Sequence, residues 1–559
     1  MRRSVTRLLR STSGAVAPTV ALSLFGLIAA GGIAFDYARM ASMDTELQSA
    51  ADHAALAAAT QLDGRTGACD RARAAAVGMV SNQTLMANDG NGLSVTVTQG
   101  AGCGASSTDG VRLYQDITHT TAATDDSNAK FVMVVVDSRT ANYALTPVVG
   151  ALSSGAISAT AFAGLNQAIC KVPPVMLCNP AESTDPDFTT ANYIGKGIRL
   201  ISNDGGGSYG PGNFGFLATN AGNGASVLAQ ELGASTVPGD CVQETGVTTD
   251  PGNMISVRDA LNTRFGIYNS VTNACGSSGS SCPPSANIRQ DLVLRGKQNG
   301  KSSNYTYGTS ISMLGFTTNS GSQPGWEEAT NPYPGSANIT TTGTPKSLND
   351  TDIAAIAPMG YPEDKCHAFK SDGTGTCTNG LIGDGFWDRF AYFKSNSATN
   401  YTEVAGMTTA STTAFNAFLQ GKFNTTTPTR YQVYQYEMSH ASSRLQTQST
   451  STAGQAAYGN PANLSGEPSG ITPSSTNGDR RVLSVAVINC TAEGLKGKTT
   501  DVQVQKWIDV FLVQPSEPRV TGVRTSSSDV YIEVISETDN ATNSGAVQLI
   551  KKSVPYLIE

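Results

Sequence analysis

The strongest hydrophobic pattern lies in the first sixty residues. Residues 15–35 form a run without a charged side chain. At about 1.5 Å of rise per residue, a helix of roughly twenty residues crosses the hydrocarbon core of a bilayer. The run is preceded by four bases and no acid: Arg2, Arg3, Arg7 and Arg10. The positive-inside rule then predicts a basic cytoplasmic segment over residues 1–14, a transmembrane helix over residues 15–35, and the rest of the chain outside the cytoplasm.

A cleaved secretory signal peptide is the second interpretation of this run. Gly32-Ile33-Ala34 offers small residues near a cleavage site. The apolar core of a signal peptide usually has about 7–15 residues, whereas the run here is longer and continues into more helix. We therefore favour a retained anchor over a chain cut near Ala34.

Beyond the run, apolar side chains recur at alternating spacings of three and four residues, which places them on one helix face. They are Met40, Met43, Leu47, Ala50, Ala54 and Ala57. This pattern predicts a stalk helix over residues 36–62 that ends at the turn signal Asp63-Gly64. Its apolar seam either packs on the protein's own globular domain or self-associates with another copy, because small alanines let a second helix approach closely.

Period-two alternation dominates the next hundred residues. A short helix over 68–81 precedes strands predicted over 93–98, 111–114, 130–136 and 157–163. A long first helix followed by a few antiparallel strands is also the plan of a pilin-like subunit. By that analogy, we predict a pilin-like α+β domain over residues 63–170.

The remaining chain is rich in Gly, Asn, Ser and Pro, and we divide it into three parts. Residues 171–440 are predicted to form an extracytoplasmic domain with disulfides, residues 441–480 an exposed polar loop, and residues 481–559 strands that complete the body. The predicted strands lie over 197–202, 481–490, 507–513 and 530–535, and the predicted helices over 226–232, 256–268 and 413–419. The predicted fold class is α+β, with an N-terminal transmembrane and stalk helix followed by a large β-rich extracytoplasmic body.

Composition restricts the classes of function. Only 14% of the residues are charged and the formal net charge is -7, which argues against a nucleic-acid surface of clustered Lys and Arg. Ten cysteines suit an oxidising compartment. We expect local disulfides between close neighbours, with some free buried thiols as the open alternative: Cys170–Cys178, Cys275–Cys282 and Cys366–Cys377. With four histidines and no Cys-x-x-Cys, we predict no metal-binding residue.

Several stretches resemble chemical sites, and for each we prefer a structural interpretation. Ser208 lies in a Gly-x-Ser-x-Gly pattern, but Pro211 and Gly212 follow where a nucleophile elbow needs a helix. The cluster from Asp384 through Asp388 to Phe390 could stack on carbohydrate or act as a carboxylate site. We favour a disulfide-held loop that docks its aromatic side chains.

Other polar residues are also assigned structural roles. His440 lies near Glu437 in sequence, and the acids Asp185, Asp187 and Asp204 lie in turn-like stretches without the spacing of a calcium loop. We therefore predict no catalytic or cofactor-binding residue, and no cofactor.

Two motifs around the first helix carry a family resemblance. Asp36-Tyr-Ala-Arg39 follows the apolar run, and Gln48-Ser-Ala-Ala-Asp52-His-Ala-Ala-Leu-Ala comes later on the same helix. In this order they resemble the N-terminal domain of TadG-like proteins of the Flp (tight-adherence) pilus-assembly system, over roughly residues 13–62. The segment Ile-Cys-Lys-Val-Pro-Pro-Val-Met-Leu-Cys-Asn-Pro at 169–180 is similar to one in larger members.

The resemblance implies a single-pass protein of the bacterial inner membrane whose periplasmic body helps to build or secure an adhesive pilus. Its partners would be other pilus-assembly or envelope proteins, and no catalysis is implied. Two departures matter. Prepilin-like members are cut after a Gly and have Glu five residues later, whereas Thr19 stands at that place after Gly14. Some members carry a von Willebrand A metal site, but Arg139 and Ala141 stand where its serines should follow Asp137.

We therefore predict a non-enzymatic, membrane-anchored component of Flp-type pilus assembly that acts by protein–protein contacts in the periplasm. A secreted or surface adhesin, using the loop-rich body as a binding module, is the first alternative. An envelope hydrolase that uses Ser208 or the region of Asp384 and Asp388 is the second. Cleavage after Gly14 or near Ala34 stays open.

Overall fold

The computed structural model describes most of the chain, which divides into two compact units. The first unit comprises Met1–Gln167 and Ser553–Glu559, and the second comprises Ala168–Lys552. The second unit is therefore an insertion into the first. The described residues are 16–64, 66–79, 84–126, 128–144, 153–170, 175–203, 207–218, 225–234, 241–243, 246–250, 255–268, 271, 275, 282–295, 325–329, 331–333, 348–368, 377, 380–447, 455–456, 459–460, 479–517, 529–538 and 550–558.

The first unit begins with a single long helix, α1 (Val16–Ala59), of 44 residues. The predicted long apolar helix is thus confirmed, and it ends three residues before the predicted end at residue 62. Gly64 has a positive φ of 72°, which a glycine adopts without steric cost. The first half of α1 is exposed to solvent, whereas one face of its second half is fully buried from Met43 onward.

The alanine-rich seam of α1 packs inside its own unit. Met43, Leu47, Ala50 and Ala54 are fully buried in a cluster shared with α2 (Ala68–Met79) and with the sheet of the first unit. Small side chains allow this close approach of backbones. The segment predicted as a stalk over residues 36–62 is therefore, from Met43 onward, the core helix of a globular unit. The seam from Met43 onward thus packs mainly inside the unit, and self-association through the stalk helix stays a prediction.

A disulfide and a buried arginine on α2 hold the segment that leads into the sheet. Cys69 and Arg73 lie four residues apart, so both face the same side of the helix. Cys69 is bonded to Cys103. The guanidinium of Arg73 donates to the carbonyls of Gly102, at 2.7 Å, and Val111, at 2.6 Å. Because both contacts come from one helix face, residues 102–111 are fixed to α2.

The sheet of the first unit has the strand order β1–β2–β3–β17. These strands are β1 (Val111–Tyr114), β2 (Phe131–Val135), β3 (Thr160–Cys170) and β17 (Ile550–Leu557). The strands β1, β2 and β3 pair antiparallel, with Val132 opposite Ala163. Residues 481–559 were expected to complete the large body, but the last strand returns to the first unit. There the Ile558 N–H donates to the Phe162 carbonyl at 2.8 Å.

The strand predicted over residues 93–98 is wrong. Val95 and Val97 are buried, as the alternation predicts. However, Thr96 accepts a backbone hydrogen bond from Asp137, whereas Thr98 accepts one from Gly110. Because its neighbours change within two residues, this segment is extended without forming a regular ladder.

Six strands of the second unit close into a barrel. The order around the ring is β4–β14–β15–β16–β5–β6, and β6 pairs back with β4. The pairs β4–β14 and β5–β6 are parallel and the other ring pairs are antiparallel. The strands are β4 (Val175–Cys178), β5 (Gly197–Ser202), β6 (Asn213–Leu217), β14 (Val482–Ile488), β15 (Val504–Leu512) and β16 (Val530–Glu537). The four strands predicted in this part of the sequence are confirmed.

Both faces of the barrel wall are buried. Alternate residues from all six strands meet in one hydrophobic cluster, to which β14 contributes Leu483, Val485 and Val487. Ala486 and Ile488 lie in a second cluster on the opposite face. All seven residues of β14 are buried, which explains why six of them are apolar without alternation. The exception, Ser484, donates its hydroxyl to the buried Asp509 at 2.6 Å.

Short elements surround the barrel. The helices predicted over 226–232, 256–268 and 413–419 correspond to α3, α4 and α8, although residues 263–265 form a 3-10 turn after α4. Of the predicted polar loop at 441–480, α10 and three short strands (β11, β12 and β13) are described, and most other positions lie outside the described residues. The elements are α3 (Ala225–Gly233), β7 (Cys241–Gln243), β8 (Thr249–Asp250), α4 (Ile255–Asn262), β9 (Leu292–Arg295), β10 (Gly325–Glu328), α5 (Asp350–Ala355), α6 (Lys365–Ala368), α7 (Arg389–Ser395), α8 (Thr412–Phe423), α9 (Arg430–Ser439), α10 (Ala441–Arg444), β11 (Gln446–Thr447), β12 (Gln455–Ala456) and β13 (Gly459–Asn460).

Two of the three expected disulfides are confirmed and one is wrong. Cys275–Cys282 and Cys366–Cys377 are bonded as predicted. Cys178 is bonded to Cys490, which is 312 residues away, and not to Cys170. The reason is the barrel, because β4 and β14 are parallel neighbours with Ile488 opposite Cys178. Cysteines that are close in sequence were expected to pair, but closure of the barrel places Cys490 beside Cys178.

We expect the disulfide Cys178–Cys490 to stabilise the second unit more than Cys275–Cys282. The loops closed are 312 and 7 residues, and loop-closure entropy then predicts about 5 kcal/mol against about 2 kcal/mol. The two double Cys→Ser variants should be compared by urea unfolding without reductant. Equal losses of the free energy of unfolding would contradict this loop-length account.

Candidate functional site

The exposed half of α1 is the most unusual surface of the described chain. It lies in the one described helix that is long and apolar enough to cross a membrane, and that stretch is almost entirely exposed. Large apolar side chains that are about half exposed or more point away from the helix: Val16, Val20, Leu22, Leu24, Phe25, Leu27, Ile28, Ile33 and Phe35. Apolar side chains on every face distinguish this segment from an amphipathic core helix.

Two polar side chains mark the point where α1 meets its own unit. Asp36 is 2% exposed, and one of its carboxylate oxygens accepts the Ala144 N–H at 3.1 Å. One turn later, Arg39 donates to the carbonyls of Met86, at 3.0 Å, and Asn142, at 3.3 Å. These contacts join the helix to two loops at the end of its apolar half.

A second set of contacts lies further along α1. Glu46 accepts the hydroxyl of Thr84 at 2.7 Å and the N–H of Met86 at 3.4 Å. Gln48 donates to Asp52 on the next turn, at 2.8 Å, and to the carbonyl of Thr160. The polar residues of this half therefore position the helix against the loops and the sheet.

Comparison with known proteins identifies this helix. Residues 14–61 match the family of putative Flp pilus-assembly TadE/G-like proteins. The chain carries a Tad domain. The match covers about a tenth of the 559 residues. No curated protein and no solved structure matches the chain.

The geometry gives the quoted Tad motifs a structural role. In the Asp-Tyr-x-Arg motif, Asp36 and Arg39 bind the loops of the first unit, while the side chain of Tyr37 is 65% exposed. In the second motif, Gln48 and Asp52 bind each other, and the alanines lie in the core. The Tad domain is thus one long helix. Polar residues that follow its apolar half bind the loops of the first unit.

Ser208 is not built into a nucleophile elbow. It is exposed and forms an antiparallel bridge with Lys496. The chain then turns at Gly212 and continues as the strand β6, whereas an elbow places the serine directly before a helix. The segment around Ser208 is a connection between barrel strands.

The cluster over residues 384–390 begins a helix and packs on an aromatic core. The Asp388 carboxylate caps α7 by accepting the Ala391 N–H at 3.0 Å. Trp387 is buried and donates to the Pro428 carbonyl, while Phe386 is 61% exposed. Asp384 accepts the N–H of Phe386 within its own turn. The structure does not bring Asp384 and Asp388 together as a carboxylate pair, because each binds its local backbone.

The other polar candidates also have local partners. Asp185 accepts from the Thr189 backbone and from the Tyr193 hydroxyl, and Asp187 is exposed. Asp204 lies outside the described residues. His440 is exposed and stacks on Tyr436.

The two sets of described residues with metal-ligand chemistry are disulfide sites. Cys366 and Cys377, beside His367, are bonded to each other, and so are Cys69 and Cys103, beside Asp126. A bonded cysteine has no thiolate to offer a metal.

The segment compared with a von Willebrand A site is structural. Asp137 accepts hydrogen bonds from the hydroxyls of Thr96 and Thr98. Arg139 forms a paired hydrogen bond with both carboxylate oxygens of Asp89, at 2.9 Å each. This bond lowers the pKa of Asp89 well below its usual range, although burial opposes the shift. The arginine where a metal-site serine would stand therefore joins two loops.

Sequence reasoning missed a buried polar network around Glu437 on α9. Its carboxylate accepts the hydroxyls of Tyr361, Tyr392 and Tyr401 at 2.5–2.7 Å, and it pairs with Arg289 at 3.3 Å. Burial, with the carboxylate as a further cause, raises the pKa of these tyrosines well above the usual value. A single carboxylate thus joins α7, α9 and the segment before β9.

A second missed network surrounds Arg430 at the start of α9. Its guanidinium binds Asp364 and donates to Glu533 at 2.9 Å, and all three side chains are fully buried. Glu533 also accepts the backbone N–H groups of Arg430 and Tyr431. Burial raises and Arg430 lowers the pKa of Asp364, with a net shift downward, whereas burial dominates and raises the pKa of Glu533. No local motif predicts either network, because the partners are 36 to 150 residues apart in sequence.

We expect the substitution Glu437→Gln to lower the free energy of unfolding by about 3–5 kcal/mol, because it leaves buried Arg289 without its counter-charge. The matched control is Glu537→Gln, whose pair with Lys506 is exposed and should cost less than about 1 kcal/mol. Urea unfolding followed by tyrosine fluorescence measures both. Similar losses of the free energy of unfolding in the two variants would show that the Glu437 network does not stabilise the fold.

The buried imidazole of His367 should make stability depend on pH. Its pKa is lowered to about 4, chiefly by burial, whereas an unfolded histidine has a pKa of about 6.5. Between these values the unfolded chain binds a proton that the folded chain does not. The free energy of unfolding must then fall as the pH falls from about 6.5 to about 4.

The substitution His367→Gln should reduce this loss by up to about 3 kcal/mol, while keeping a polar partner for the Tyr531 hydroxyl. Urea unfolding of both proteins at about pH 7 and about pH 4 gives the difference. If the two proteins lose stability equally, the imidazole is protonated in the folded state as readily as in the unfolded state.

Proposed function

We propose that the protein is a non-enzymatic, membrane-anchored component of Flp-type pilus assembly, which acts outside the cytoplasm through protein–protein contacts. The observation that carries this proposal is the exposed apolar half of the Tad helix. Nine large apolar side chains on this segment are about half exposed or more. Moving them from water into hydrocarbon is worth on the order of 10 kcal/mol, which favours insertion into a bilayer.

Charge and cysteine chemistry support one orientation. The segment before α1 contains Arg2, Arg3, Arg7 and Arg10, and cytoplasmic flanks are enriched in such bases. The described body contains four disulfides, and disulfides persist in oxidising compartments such as the periplasm. We therefore place residues 1–14 in the cytoplasm, the apolar half of α1 in the membrane, and the globular part of the first unit together with the second unit in the periplasm.

The polar residues singled out by the sequence favour a structural role. Ser208 precedes a turn and a strand, and Asp388 caps α7. The most extensive charge networks of the second unit are fully buried, so they stabilise the fold without meeting a substrate. The proposed activity is accordingly to hold or organise other envelope proteins.

The anchor is tested by fractionating cells that express the full chain with a carboxyl-terminal tag. We expect the protein in the membrane fraction, resistant to high salt and released by detergent. The double variant Leu24→Arg/Leu27→Arg should shift to the soluble fraction, because an arginine near the bilayer centre costs about 2.5–3.5 kcal/mol. The control Ile117→Arg changes an exposed residue of the first unit and should leave the protein in the membrane.

Sequencing the recovered amino-terminal residues separates the alternatives. A start at Met1 or Ala15 in the membrane fraction agrees with the anchor. A soluble protein that starts near Phe35 would contradict it and favour the secreted binding module.

The role in pilus assembly needs a separate test. Cells without this protein should lose surface pili by electron microscopy. The wild-type chain and the Ile117→Arg variant should restore them, and Leu24→Arg/Leu27→Arg should not. Pili at normal number in cells that lack the protein would rule out the assembly role, whatever the result for the anchor.

A further inference from the structure

Two exposed leucines lie on neighbouring segments of the first unit. The side chain of Leu85 is 65% exposed and that of Leu93 is 46% exposed. Their segments are neighbours, because the Thr84 N–H donates to the Leu93 carbonyl at 2.8 Å. Two large apolar side chains together in water form a surface that some other phase or molecule is expected to cover.

Hydrogen bonds fix this pair beside the end of the apolar half of α1. The carbonyl that follows Leu85, on Met86, accepts from Arg39, and the Thr84 hydroxyl donates to Glu46. Side chains on a helix tilt toward its amino-terminal end, so Arg39 reaches Met86 at about the level of Asp36. Leu85 is one residue away, within about 4 Å along the chain.

We propose that Leu85, Leu93 and the exposed Tyr37 form a second membrane contact, which seats the first unit on the outer surface of the bilayer. This inference rests on the proposed function, since it requires α1 to be inserted. The interfacial layer on each side of the hydrocarbon is roughly 5–8 Å thick, and tyrosines are enriched there. The leucine pair and Tyr37 lie at the level of α1 that such a layer would occupy.

The charges nearby do not oppose this contact. Asp36, Arg39 and Glu46 bind groups of the first unit, so they do not present bare charges to the lipid. Phe35, which is 56% exposed, lies one turn before Arg39 on the same face of α1, so the apolar half of the helix ends close to the segment of the pair. This proximity favours the bilayer over a protein partner as the phase that covers the pair.

The first unit contains a control residue far from this level. Asn142, which binds Arg39, pairs with Ser153, whereas Phe131 pairs with Gly164 and lies opposite Tyr114 on the other side. Gln48, nine residues after Arg39 on α1, binds Thr160, which lies opposite Val135. The chain from residue 142 to residue 135 therefore runs about 13 Å along the helix away from Arg39, and Phe131 lies further on. Ile117 follows Tyr114 and is 51% exposed. It is an apolar residue of similar exposure that should remain in water.

The test places an environment-sensitive fluorophore on single introduced cysteines of the full-length protein in phosphatidylcholine–phosphatidylglycerol vesicles. The variants are Leu24→Cys in the helix, Leu85→Cys in the pair and Ile117→Cys as the control. Unaltered protein gives the background labelling. We expect blue-shifted emission, and quenching by spin-labelled lipids, at residues 24 and 85. At residue 117 we expect quenching only by aqueous iodide.

Each outcome separates this inference from the proposed function. Lipid quenching at residue 24 with iodide quenching at residue 85 would overturn the second contact and leave the anchor intact. Iodide quenching at residue 24 would overturn the anchor itself. Shielding of residue 85 from both quenchers would mean that a second copy covers the pair, which also contradicts the proposal. Leu93→Cys repeats the measurement if labelling at residue 85 disturbs the fold.

Discussion

The structure of the first unit depends on where one continuous helix changes its surroundings. The first half of α1 exposes apolar side chains on all sides, and the second half buries one face in a core of alanines. Asp36 and Arg39 bind body loops at the boundary. Because a helix of this length is stiff, whatever holds the first half also orients the globular unit that contains the second. The Tad match ends at residue 61, where this shared helix ends, so anchor and core belong to one element.

The second unit meets a different constraint, because several of its charged side chains are buried. Arg289, Arg430, Asp364, Glu437 and Glu533 are all buried. Isolated buried charges cost several kcal/mol each, so they persist only in networks that satisfy most of their hydrogen bonds. The networks around Glu437 and Arg430 do this with tyrosine hydroxyls, backbone N–H groups and opposite charges. They also join residues from distant parts of the sequence, which ties the short helices to the barrel.

Elements with strong local periodicity could be predicted from the sequence. Contacts that depend on closure of a sheet could not. Apolar residues spaced by three and four located α1. Segments dense in apolar residues, although interrupted by Ser484, Asp509 and Glu533, located β14, β15 and β16. The buried seam beginning at Met43 could not be assigned between self-association and internal packing, since both use the same small side chains. Cys178–Cys490 was missed because parallel pairing of β4 and β14 is not a local property. In the sequence, Arg430 and Glu437 look like polar residues of a solvent-exposed helix. Only their partners, 36 or more residues away, show that they belong to the core.

The order of the chain separates the segment that matches the Tad family from the inserted second unit. The second unit is inserted between β3 and β17, so the sheet of the first unit is complete only after the barrel sequence has been translated. Resemblance to the Flp pilus-assembly family is confined to the helix. A role shared with other Tad proteins should therefore depend on α1 and the loops that Asp36 and Arg39 bind. Contacts particular to this protein have the exposed surface of the inserted unit available, because the charge networks around Glu437 and Arg430 are buried.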